Sequence, residues 1–205
     1  MIQIAAFFCI VFGVAIFSKR RFEQALPIAV LSFMLILTLL AMGKVLSWMD
    51  WIAWATIGGI VLYAGILFAM KRVSLSALGK SLAENILTPG LVCFLIVGAF
   101  FWFATKHMAV WNHDDVAYWA LEPKLLWMFG GLPDGGQMFD LNFGNYMPGM
   151  PVLQWWGMRA IGEWQESLLY FVLFMTQVSF LLPLLDKLRW KRACPITAVK
   201  RKPAS

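Results

Sequence analysis

Residues 25–42 read ALPIAVLSFMLILTLLAM, eighteen consecutive positions without a charge. A helix of that length rises about 27 Å, close to the roughly 30 Å of hydrocarbon in a bilayer, where the backbone must satisfy its own hydrogen bonds. The stretch reads as a membrane span. Four further uncharged runs read the same way: Met1 to Phe17, Trp51 to Met70, Leu87 to Ala104 and Leu168 to Leu185. Hydrophobic residues make up 61% of the 205 and charged residues 14%, against roughly a half and a quarter in soluble domains. The expected fold is all-α: a polytopic transmembrane bundle of about five spans, with a large external loop carrying short interfacial helices.

Orientation follows from the cations, which are retained on the cytoplasmic side of spans. Thirteen of the seventeen fall on one side, after alternate spans: Lys19, Arg20 and Arg21; Lys71, Arg72 and Lys80; and seven from Lys187 to Lys202. The opposite loops carry only Lys44, Lys106, Lys124 and Arg159. The N-terminus is therefore expected outside and the C-terminus inside the plasma (inner) membrane. The net charge of +6 is anchoring charge near anionic lipid headgroups and calls for no nucleic-acid partner. Met1 to Phe17 lacks a basic leading region and a small-residue cleavage site, so it reads as a retained span rather than a removed signal. Cys9 and Cys93 fall in spans and Cys194 in the basic tail, which leaves no external disulfide or thiolate metal site.

Four regions result: a four-span bundle over 1–104, an extracytoplasmic loop over 105–167, a fifth span over 168–185 and a basic cytoplasmic tail over 186–205. The spans themselves carry no ionisable residue, which disfavours a transporter. Leu75, Leu78, Leu82 and Ile86 form a stripe opposite Lys80 and Glu84, the pattern of an interfacial amphipathic helix. The loop holds seven of the eleven carboxylates, both histidines and six of the eleven tryptophans. Within it, Asn112 or Asp114 caps a helix predicted to run to Phe129, with Gly130-Gly131 as its stop. Asp115, Tyr118, Trp119 and Glu122 share a face of that helix through their spacing. Tyr146-Met147-Pro148-Gly149-Met150-Pro151 then leads, extended, into a short aromatic helix over 151–161.

Asp114-Asp115-Val116-Ala117-Tyr118-Trp119, followed by Lys124, resembles the D-E-x-x-H-W-x4-K motif of a family of multi-pass bacterial membrane proteins related to the C-type glycosyltransferase fold. Tyr146-Met147-Pro148-Gly149 with Gln154-Trp155-Trp156 is similar to that family's downstream Y-P-P-G-x4-Q-aromatic segment, and Leu87-Thr88-Pro89-Gly90 is also similar. The sequence departs from the pattern at Tyr118, which stands where the family has His, and at Met147, which breaks the double proline.

The resemblance implies transfer of a sugar from a polyprenyl-phosphate-linked donor at the outer face of the membrane. It places Asp114 as catalytic base or metal ligand, with Mg or Mn as the implied ion, and Asp115 as its supporting acid. Tyr118, Trp119, Lys124, Tyr146, Gln154 and Arg159 are then the expected substrate-binding residues. Such a transfer needs a carboxylate to take the acceptor hydroxyl's proton and cations to hold the phosphate leaving group. Adjacent carboxylates repel, which raises one pKa or recruits a divalent ion; at about 100° apart on a helix they do not readily share it.

Each residue also has a plainer reading. The acidic pair is a helix cap, Trp155 and Trp156 are interfacial anchors, Lys124 and Arg159 snorkel to headgroups, His113 is a polar neighbour, and Glu163 and Glu166 are solvated flank. Family members generally continue through further spans that complete a carrier-lipid groove, so the likeness takes in their N-terminal part. An N-terminal fragment, one half of a split enzyme and an accessory subunit all fit that. The alternative class is a non-enzymatic integral membrane subunit or scaffold of an envelope-polysaccharide complex, with a membrane protein partner.

Overall fold

The computed structural model describes residues 2–71, 73–111, 120–131 and 149–188, and every regular element among them is helical. In chain order these are α1 (Ile2–Phe17), α2 (Phe22–Met42), α3 (Met49–Ala69), α4 (Leu75–Ser81), α5 (Pro89–Thr105), α6 (Leu121–Phe129), α7 (Gly149–Ile161) and α8 (Ser167–Leu181). A short 3-10 turn, Leu46–Trp48, leads into α3, and another, Leu182–Leu185, extends α8.

Three helical segments are long and apolar enough to cross a membrane unaided: Phe22–Met42, Leu46–Ala69 and Ser167–Leu185. A fourth arises if Leu75–Ile86 and Pro89–Thr105, bent by 55° at their junction, count as one broken span. The five expected spans thus include two that are short as helices. α1 has 16 residues and α5 has 17, about 24–26 Å each at 1.5 Å per residue. α5 begins where Thr88 caps it, its hydroxyl accepting from the Leu91 amide at 3.3 Å, and Pro89 supplies the first helical residue, both favoured choices at a helix start. The amphipathic segment before it is α4 followed by a π turn, Leu82–Ile86.

α2 is the hub. One face, through Phe22, Leu26, Phe33 and Leu37, joins Phe7 and Val11 of α1, Leu126 of α6 and Val152, Leu153 and Trp155 of α7 in the main core. Its opposite face, Ile28, Leu31, Leu35, Leu39 and Met42, is exposed, with Leu35 at 61%. α3 and α5 likewise turn Trp51, Val61, Leu62, Leu95, Ile96 and Phe100 outward. Helices apolar all round, with such continuous exposed faces, are stable in lipid and aggregate in water.

α7 differs most from its sequence-based expectation. It occupies the predicted range, yet it packs into the bundle rather than along a surface: Trp155 is buried, and Trp156 sits between Phe7 and Phe33, with ring centroids at 5.5 and 5.0 Å. Small residues allow this. Met34 closes on Gly149, and Val172 lies where a Cβ on Gly157 would stand, 2.7 Å away. The two tryptophans therefore contribute to packing within the bundle.

Candidate functional site

α1 and α3 run parallel, since Gln3 meets Asp50 near their starts and Phe17 packs edge-on against Tyr63 further along. Gln3, Asp50 and Arg159 therefore mark one end of the bundle, with Gly131 closing on Lys44 at the end of α2. Arg21, Glu23, Gly90 and Asp186 mark the other. Each end has a polar cluster.

At the first end, Asp50 in the first turn of α3 accepts from Gln3 Nε2 at 2.7 Å through Oδ1 and from Arg159 Nη2 at 3.4 Å through Oδ2. Both charged side chains are about half exposed, so water screens the pair and its contribution is at most about 1 kcal/mol. Its effect is on orientation, because the Arg159 guanidinium is drawn toward α3. Trp48 and Trp51 stand exposed on either side of Asp50 in sequence.

The expected site residues within the described segments do not form one cluster. Gln154 is buried on α7, and its amide nitrogen donates to Leu169 O of α8 at 3.0 Å. Its Oε1 has no partner among the described residues. Arg159 lies five positions on, about 140° around the helix, and faces α3 instead. Lys124 is exposed on α6. α6 and α7 do pack together, through Leu126, Leu153 and Trp155, while Trp127 lies edge-on to Trp164 at 6.5 Å. Asp114, Asp115, Tyr118, Trp119 and Tyr146 lie outside the described residues, as does the predicted helix before Ala120. The predicted stop is seen: Gly130 adopts φ 68° and its amide donates to Leu126 O at 2.9 Å. No three metal-ligating side chains converge among the described residues.

Glu122, in the first turn of α6, is half-buried, and desolvation raises its pKa above the ordinary carboxylate value. The folded chain therefore holds this proton at pH values where the unfolded chain has released it, so stability falls as pH rises through that window. Glu122→Gln removes the effect. The melting temperature of the variant minus that of the parent should grow as pH rises from the ordinary carboxylate range toward neutrality; a pH-independent difference would contradict this account.

Beside α7 lies an apolar cavity of about 290 Å³, lined among others by Phe8, Phe94, Leu153, Trp156, Phe171 and Met175. Its lining residues come from α1, α2, α5, α7 and α8, and it suits a hydrocarbon chain better than a polar group.

Two clusters escaped the sequence reading. Asp50 begins the third apolar run beside two tryptophans, a placement that could have marked it. At the opposite end Glu23, two residues before the uncharged run that starts at Ala25, is fully buried. Its Oε1 accepts from the Gly90 amide at 3.1 Å and pairs with Arg21 Nη2 at 3.1 Å. Arg21 Nη1 also donates to the Asp186 carbonyl and lies 3.3 Å from Asp186 Oδ1, and Nη2 donates to Leu188 O at 2.9 Å. One ionic cluster thus ties α2 to the start of α5 and to the end of α8. Glu166, expected as solvated flank, accepts from the Val110 amide at 2.8 Å and holds the segment after α5 against the start of α8.

No protein-family model matches this sequence, and no characterised protein or solved structure matches it. The fold and the clusters define an all-helical protein with several helices long and apolar enough to cross a membrane.

Proposed function

We propose that this chain is a membrane glycosyltransferase-like protein, or the N-terminal part of one, acting on a polyprenyl-phosphate-linked sugar at the outer face of the plasma membrane. α1 and α5 then serve as the two remaining spans, giving five, and thin the bilayer locally to suit their length. Asp114 takes the proton of the acceptor hydroxyl with Asp115 in support, and Lys124 and Arg159 offer positive charge to the phosphate leaving group. The observation that supports the reading most is the position of α7. The helix that carries the second motif's Gln154 also walls the 290 Å³ apolar cavity, and it packs on α6, which carries Lys124. A motif for a phosphate-linked sugar thereby adjoins room for the hydrocarbon attached to it. The direct test is transfer of labelled sugar from a polyprenyl-phosphate donor by membranes containing the full chain, with and without its native membrane partners; no transfer in either preparation would remove the enzymatic reading.

A second reading, an integral membrane subunit without catalysis, is favoured by α3. That helix packs along α1, and Gly58, Gly59 and Gly65 have open space where a Cβ would project. Small residues of this kind let another helix approach closely in lipid.

Orientation is tested separately. In a background with Cys9 and Cys93 replaced by alanine, Gly135→Cys should react with an impermeant thiol reagent in intact cells while Cys194 stays unlabelled until the membrane is opened. The reverse pattern would place the acidic loop inside and end the outer-face mechanism.

A further inference from the structure

At the end of the bundle where α1 and α3 terminate, a cleft of about 680 Å³ runs between α1, α3 and α4. Cys9 and Gly13 of α1, Ile60 and Ala64 of α3, and Ala77 of α4 are among its walls, and among the described residues Lys19 is the only charged one lining it. The lining serines are committed locally: Ser74 Oγ accepts from the Ala77 amide at 3.1 Å, and Ser81 Oγ accepts from Asn85 Nδ2 at 3.0 Å. The described acids at this end are engaged elsewhere. Glu23 and Asp186 pair with Arg21, and Glu84 lies 4.0 Å from Lys80. Lys19 pairs with none of them.

The cleft is therefore apolar along its length and positive at one end. A molecule with a hydrocarbon tail and an anionic head matches that polarity. Two helix C-termini at the mouth contribute about half a negative charge each, and Lys19, Arg20 and Lys71 outweigh them. We propose that this cleft binds one anionic phospholipid, with an acyl chain between α1, α3 and α4 and the phosphate at Lys19. The inference rests on the membrane-crossing helices and not on the transferase reading, so its failure leaves that reading untouched.

The test is native mass spectrometry of the full chain in mild detergent, supplied with phosphatidylglycerol or with phosphatidylcholine of the same acyl chains. One phosphatidylglycerol should be retained in preference to phosphatidylcholine. Lys19→Gln should cut the retained phosphatidylglycerol about fivefold, the effect of one cation near a headgroup. Ala64→Phe and, on the opposing wall, Ala77→Phe should displace both lipids by filling the slot. Equal retention of the two lipids by the parent, or parental lipid binding in the phenylalanine variants, would reduce the signal to the lipid surrounding any membrane protein and overturn the site. Both alanines are exposed, so neither substitution repacks a core, and an unchanged helical circular-dichroism spectrum confirms that the variant compared is folded. Should Ala64→Phe fail that check, Ala77→Phe on α4 decides.

Discussion

Asp114→Asn is expected to lower sugar-transfer turnover by about 10² to 10⁴-fold, the usual contribution of a positioned general base. The amide keeps the size of the carboxylate and much of its hydrogen bonding but cannot accept the acceptor hydroxyl's proton. Expression and melting temperature should stay at parental levels, because Asn caps a helix almost as well as Asp. The alternative makes the opposite forecast: if Asp114 acts only as a cap, the variant matches the parent in every assay. Asp115→Asn provides the scale, since a supporting acid should cost less than the base itself. A fully active Asp114→Asn enzyme would retire the assignment and favour the subunit reading.

Gly90→Ala should destabilise the bundle more than any other single added methyl in the described chain. Its Cβ would overlap the buried Glu23 side chain, so the carboxylate must leave the Gly90 amide and its pairing with Arg21. Breaking a buried ion pair costs about 3–5 kcal/mol, which for a chain of this size lowers the melting temperature by roughly 10 °C. Restoring space tests the mechanism. In Glu23→Ala the obstructing carboxylate is gone, and adding Gly90→Ala to that background should cost far less than it does alone, a non-additivity expected of residues in contact. Additive losses, or a parental melting temperature for Gly90→Ala, would mean that the α5 start does not depend on Glu23. Glu23→Gln isolates the charge, since its amide oxygen can still accept from Gly90.

The same cluster shows where sequence reading stops. A span drawn from Ala25 leaves Glu23 outside by construction, because composition counts charges without knowing which neighbour neutralises them. Glu23 is acceptable inside only because Arg21, two residues earlier, and Gly90, 67 residues later, converge on it. Asp50 and Arg159 are a similar case, 109 residues apart in sequence and joined at one end of the bundle.

The sequence by itself determined the helical class, the apolar character of the elements, the Gly130 stop and the approximate range of α7, because these depend on local chemistry. Run length and composition decide whether a backbone can close its hydrogen bonds in lipid, and a glycine at φ 68° ends a helix wherever the rest of the chain lies. Only the tertiary structure decided that α7 packs inward, that Gln154 binds α8 while Arg159 turns to α3, and that α5 starts at a sharp bend over a buried carboxylate. Tryptophan favours a lipid interface and a protein core on nearly the same grounds, its large apolar surface, so its residue type cannot choose between them. Gly149 and Gly157 made the choice for Trp155 and Trp156 by admitting Met34 and Val172 at close range, a property of paired surfaces that no single segment carries.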